Sequence, residues 1–243
     1  MATTSQLIHV INNHQNSFHQ VIKFNPKTDK LMHLDFTETN TELTQEIIEN
    51  VEKFSEYIAD QLSETSCLFG IGGYAEHRTV YSRSKLFDSK EITPNGIEIT
   101  GTEPRRLHLG IDIWGNEATA VYAPLGGMIH SFAFNNNYGD YGATIILLHQ
   151  LDGIPFFTLY GHLSLKDIEK LKEGSYISHG QVIGHFGKAE ENGHWPPHLH
   201  FQIINEIRVS KGDYPGVCKF SEKEFYLNNC PDPDLILQLN KYL

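Results

Sequence analysis

The spacing of apolar positions changes along this chain, and the change divides it. Leu43, Ile47, Val51, Phe54, Ile58 and Leu62 recur at three- and four-residue intervals, which lines one face of a helix. Thr39 and Glu42 fit the start of that helix as a capping box, so the pattern predicts one long helix over about 41–62. Residues 1 to about 40 read as polar turns with short strand candidates in "QVIKFN" and "KLMHLDF". After about residue 92 the texture is different. Short apolar runs such as "HLGIDIW", "GATIILLHQ", "IPFFTLYGHLS" and "HLHFQII" are cut by Gly, Asn and Asp. Closely spaced short strands with turn signals predict an antiparallel sandwich or barrel. One helix interrupts them at "LKDIEKLKE", with Ser164 and Asp167 at its start and Gly174 at its stop. The expected fold class is mainly β (α+β over the whole chain). Three parts are expected: an N-terminal α/β extension over 1–92, a β-rich catalytic-type domain over 93–210, and a C-terminal tail over 211–243 packed on it.

Charge and cysteine usage narrow the function classes. The formal net charge is −11, from 30 acidic and 19 basic residues. A duplex nucleic-acid binder needs a positive footprint, and an anionic membrane surface repels such a chain, so neither partner is expected. No stretch has the length of a membrane span. The first basic residue is Lys23, and "LIHVI" is too short for a signal-peptide core. Cys67, Cys218 and Cys230 form no C-x-x-C pair, which excludes a disulfide framework and a thiolate zinc site. These features give a cytoplasmic expectation.

The 14 histidines supply the candidate chemistry. In "HWPPHLHF", His198 and His200 point to one face of a strand, about 6–7 Å apart. That spacing suits two nitrogens serving one small object, such as a metal ion and its water. In "RRLHLGID", His108 and Asp112 would lie about 13 Å apart on an unbroken strand. A bend at Gly110, which tolerates unusual backbone angles, brings imidazole and carboxylate together. Two histidines and an aspartate match the mixed donor set of a catalytic zinc site, whose fourth position is left to water. His162, in "LYGHLS", ends an apolar strand ahead of the helix.

The segments "HLGID", "LYGHLS" and "PPHLHF" resemble the signature segments of the lysostaphin/LytM-type zinc metallopeptidases, a duplicated-hybrid-motif β-barrel family. The likeness runs over about 105–204 and includes "VYAPLGGMI", "NNYGDYG" and "EGSYISHGQVIGHFG". The resemblance implies an antiparallel barrel of that type and one Zn²⁺ per chain, with His108, Asp112 and His200 as ligands. It implies His162 and His198 as catalytic histidines flanking the metal-activated water, and a peptide or small amide as substrate. The implied function is a metalloendopeptidase-like amide hydrolase. The alternative is an inactive peptide- or glycan-binding module on the same barrel. "GGYAEHRTVY", "WPPHLHFQ" and "GDYPGV" further resemble a subgroup whose peptidase-like module lies between phosphotransferase and class III aminotransferase domains, a cytosolic setting. Trp195 is a candidate wall or aromatic platform for substrate, or a packing residue. Arg106 is a candidate helper beside the first ligand, or a surface residue. Glu76, Arg78 and Tyr81 read as an ion pair and a packing contact rather than groove residues. Oligomeric state is not readable from the chain.

Overall fold

Both faces of the central strands carry apolar side chains, and a buried sheet follows from that. The computed structural model describes residues 3–88, 90–92 and 98–243. In chain order the strands are β1 (Leu31–Leu34), β2 (Phe69–Gly72), β3 (Lys90–Ile92), β4 (Glu98–Thr100), β5 (Leu107–His108), β6 (Ile111–Trp114) and β7 (Ala120–Tyr122). There follow β8 (Gly127–Asn135), β9 (Gly142–Leu151), β10 (Ile154–Leu163), β11 (Tyr176–Ile177), β12 (Val182–His185), β13 (His198–Ile204) and β14 (Val217–Cys218). The main sheet runs β1-β2-β6-β13-β10-β9-β8-β11. Every pairing in it is antiparallel except the parallel edge pair β1–β2. The mainly β, antiparallel fold expected from the sequence is what the chain adopts.

Alternate residues of a strand point to opposite faces, and here each face has its own cover. Ile145, Leu147, Tyr160, Leu199 and Phe201 enter one core, which also takes Leu7 and Ile11 from α1 (Thr4–His14). The other face carries Ile146, Leu159 and Ile204, packed under Ile207, Tyr214 and Cys230 of the C-terminal segment. Further along that same face, Trp114 and Trp195 pack with Phe36, Ile48, Phe54 and Ile58 of the N-terminal segment. His198, His200 and Gln202 have the parity of Ile204 and therefore belong to this second face, between its two covers.

Several local expectations fail, each for a visible reason. The long helix is two helices, α2 (Gln45–Glu49) and α3 (Val51–Thr65). Thr44 caps the first and Asn50 the second, its Oδ1 accepting from the Lys53 N–H at 2.9 Å. The capping box at Thr39 does not form, because its hydroxyl is bonded to Asp35. The polar start contains α1 instead of turns alone: Leu7, Val10 and Ile11 share a buried stripe behind a Thr3–Gln6 capping box. "KLMHLDF" contains β1, whereas "QVIKFN" is irregular with Val21 and Ile22 buried. The interrupting helix is the single turn α4 (Leu165–Ile168). Its start is where the sequence places it, with Ser164 at the N-cap and Asp167 in the first turn, and Asp167 also accepts from the His185 backbone N–H at 2.6 Å. The chain closes with α5 (Lys223–Asn229) and α6 (Asp234–Leu237). Among the described residues no helix is long and apolar enough to cross a membrane.

Phe54 ties the helices to the sheet, with its ring 5.7 Å from Trp114 and 6.4 Å from Trp195. Phe54→Ala is expected to lower stability by about 3–5 kcal/mol, the range for emptying a buried aromatic site. Urea unfolding followed by tryptophan fluorescence checks it.

Candidate metal centre

The register of β6 against β13 sets Asp112 directly across from His200 and Trp114 across from His198. β5 stands off the main sheet, paired with β14, and the chain turns at Leu109–Gly110 before β6 begins. That turn brings His108 Nε2 to 3.2 Å from Asp112 Oδ1. Gly110 provides room there, not an unusual dihedral. It is absent from the positive-φ residues, but a Cβ on it would stand 2.5 Å from His200 Cε1 and 2.8 Å from the Phe201 carbonyl oxygen.

Three donor atoms converge. His108 Nε2 lies 2.9 Å from His200 Nδ1, which lies 3.0 Å from Asp112 Oδ1. The outward nitrogens fix both tautomers. His108 Nδ1–H donates to the Gly73 carbonyl at 3.0 Å, and His200 Nε2–H donates to Gln202 Oε1 at 3.0 Å. The Gln202 amide is itself oriented, its Nε2 donating to the Pro215 carbonyl at 3.2 Å. Each ring thus turns a bare lone pair inward. Two lone pairs and a carboxylate oxygen this close repel one another unless a cation lies among them. Tetrahedral ligands at about 2.0–2.1 Å from one ion stand about 3.3 Å apart, near the three separations here. The residues present fit a metal ion, and His108, Asp112 and His200 could hold it.

Arg78 backs this group. Its Nη1 donates to Asp112 Oδ2, its Nε to Glu76 Oε2 at 2.6 Å, and its Nη2 to the Gly73 carbonyl at 3.0 Å. Burial works against the charge on Asp112, but the Arg78 guanidinium on its Oδ2 outweighs it and holds the carboxyl well below its usual range. Burial, with the Arg78 charge second, pushes His108 down to about 4.

His162 arrives by a different route. β10 loses register with β9 between Tyr160 and Leu163, and His162 inside that bulge has φ 63°. A non-glycine residue seldom adopts that region. Here its N–H donates to the Tyr141 carbonyl at 2.8 Å and its carbonyl accepts from Gly187 at 2.9 Å. The bulge re-aims the side chain toward β13. His162 Nδ1–H donates to the Asn192 carbonyl at 2.7 Å, and His198 Nδ1–H to the Pro196 carbonyl at 2.8 Å. Nε2 of each ring carries the lone pair. The two rings lie 4.0 Å apart, and Trp114 stacks on His198 at 3.9 Å and 10°. Burial pushes His198 down to about 4; burial, with His198 second, holds His162 well below its ordinary value. Both imidazoles are therefore neutral, with the free lone pair at Nε2.

A cavity of about 140 Å³ opens between these groups, lined by Arg78, Asp112, His162, Trp195, His198 and His200. Arg106 does not reach it. Adjacent side chains of extended backbone project to opposite sides: Arg105 lines the cavity, while Arg106 lies on a separate surface hollow 3.9 Å from Asp88. Trp195 is no exposed platform; it is wedged between Tyr81, Phe54 and His198. The Glu76–Arg78 ion pair read from the sequence is present, but its extension to Asp112 was not foreseen. Asn192 and Tyr141 were also missed, since backbone carbonyls carry no sequence signal. Gln202 had one: it shares the strand face of His198 and His200.

Residues 106–212 match the family model described as Peptidase family M23. Among solved structures the chain is similar to the catalytic domain of the antimicrobial peptidase lysostaphin from Staphylococcus simulans, at 30% identity over 50% of this chain and 80% of that one, with a TM-score of 0.36. It is also similar to the catalytic domain of the prophage-encoded M23 protein EnpA from Enterococcus faecalis, at 19% identity over 45% and 79% of the two chains, TM-score 0.34. A zinc containing peptidase from Vibrio cholerae matches at 22% identity over 54% of this chain and 39% of that one, TM-score 0.34. Superpositions this loose carry no argument by themselves, and the family rests on the sequence. A search of the curated proteins gives no match.

Gly110→Ala is expected to displace the His200 ring and to cost about 1–3 kcal/mol, as overpacking of a filled site does. Thermal unfolding of the variant against the parent chain checks the size of the effect.

Proposed function

We propose that the peptidase family M23 domain formed by residues 106–212 is a zinc-dependent hydrolase of peptide or amide bonds, with His108, Asp112 and His200 holding one zinc ion. His162 and His198 are the catalytic imidazoles in this reading. The observation that carries it is the convergence of three donors whose tautomers are set from behind, at 2.9, 3.0 and 3.2 Å from one another. Three protein ligands are the number a catalytic zinc site uses; a structural site takes four.

Zinc bound there supplies Lewis acidity for a scissile carbonyl and lowers the pKa of a water toward about 7. The chain's own groups do the rest. Burial keeps His162 and His198 neutral, so that Nε2 of one accepts the proton of the attacking water. That one proton, kept on Nε2 of the first ring or passed to Nε2 of the second, is the proton donated to the developing oxyanion or to the leaving amine. The Asn192 and Pro196 carbonyls hold Nδ1–H of each ring and thereby keep the correct nitrogen toward the cavity. Arg78 takes one oxygen of Asp112 and leaves the other to the metal.

The test separates ligands from catalytic groups. Zinc-equilibrated protein is expected to retain one zinc per chain by plasma mass spectrometry, and a chelator is expected to abolish hydrolysis reversibly. His200→Ala should lose the metal. His162→Ala and His198→Ala should retain it while turnover falls by about 10²–10⁴, the range for removing general acid–base assistance. Gln202→Ala should weaken zinc binding by about 10–100-fold in a competitive chelator titration, as loss of a ligand-orienting partner does. A chain that ignores added zinc, or one in which His198→Ala sheds the metal and His200→Ala keeps it, would overturn the assignment.

A further inference from the structure

We infer that this site hydrolyses small amides of about dipeptide size and not links within a polymer; this deepens the hydrolase reading above and rests on it. The site is a small, half-open recess set between the two terminal segments. None of His108, Asp112, His162, His198 and His200 is more than 6% exposed. The cavity of about 140 Å³ is the size that holds a benzene-sized molecule. It is well below the roughly 300–1,000 Å³ of ordinary ligand clefts. An extended peptide strand needs a path past the reacting atoms on both sides, and residues of both terminal segments stand beside that path.

The walls come from outside the matched family segment. More than half of the lining residues precede residue 106 or follow residue 212. Val80, Tyr81 and Phe87 close one side from the N-terminal segment, with the Tyr81 and Phe87 rings 4.6 Å apart. Tyr214, Pro215 and Val217 close the other from the C-terminal segment. All of these but Pro215 are buried and belong to apolar clusters that hold the fold together, so the walls are largely fixed parts of the core.

The recess also has polar features that a small amide would use. Arg78 and the two imidazoles of His162 and His198 line it beside the aromatic surface of Trp114 and Trp195. Asp140, Asp213 and Arg105 bring charges of both signs to the same lining, which suits a short molecule with an amine at one end and a carboxylate at the other.

The experiment measures kcat/KM of the zinc-loaded full chain on Gly-Gly, Ala-Ala and N-acetylated amino acids, and on pentaglycine and cross-linked peptidoglycan fragments. Specificity for the two-residue substrates or acetyl amino acids by at least about ten-fold over pentaglycine is expected, a modest figure for steric exclusion by a fixed pocket. Phe87→Ala, which removes part of one wall, is expected to shift that ratio toward pentaglycine. Equal or faster cleavage of pentaglycine or of peptidoglycan by the parent chain would overturn the size restriction and leave the hydrolase reading standing. A zinc-loaded chain that cleaves none of these substrates would overturn both.

Discussion

The pairing register of β6 with β13 is the constraint on which the site depends. With Asp112 opposite His200, a carboxylate and an imidazole are delivered to the same face by backbone hydrogen bonds alone. A slip of one residue would turn His198, His200 and Gln202 into the apolar core and bring Leu199 and Phe201 out. The register is therefore held by the hydrophobic pattern of β13, whose every second residue is locked into the other core. On its far side β6 pairs with β2, which sets Gly72 across from Asp112. The chain leaving β2 then supplies the Gly73 carbonyl and Arg78. β6 thus draws much of its chemical support from its two neighbours, with His108 added from β5.

Electrostatics follow from that burial. A carboxylate nearly shielded from water is costly unless it is paired and hydrogen-bonded. Asp112 has a guanidinium on one oxygen, and its other oxygen faces the point where a cation would be held with His108 and His200. Glu76 balances Arg78 in turn. The same dry surroundings that would destabilise a lone ion keep His162 and His198 uncharged, which is the state a proton acceptor needs. Stability and chemistry draw on one arrangement here.

Legibility in the sequence followed the range of the interaction. His198 and His200 were readable because strand periodicity is local, and the approach of His108 to Asp112 because Gly110 marks a break. The grouping with His162 came through a motif resemblance, since the bulge that re-aims it depends on contacts with Tyr141 and Gly187 far along the chain. Arg78 looked like half of an ordinary ion pair; nothing within ten residues of it reveals that Asp112 is its second partner. The helix boundaries failed where two competing caps, Thr44 and Asn50, interrupt one continuous apolar stripe. Of the two readings of Arg106, its place on a surface hollow near Asp88 fits the surface one, a parity set by where β5 starts.

The placement of β2 has a consequence for anyone isolating the matched segment. Residues 106–212 excised alone would leave one side of β6 with unanswered amide and carbonyl groups, an invitation to strand addition by other copies. Asp112 would lose its guanidinium at the same stroke and face a neighbourhood without a counter-cation. The unit in which β6 is paired on both sides therefore includes β2 as well as β13.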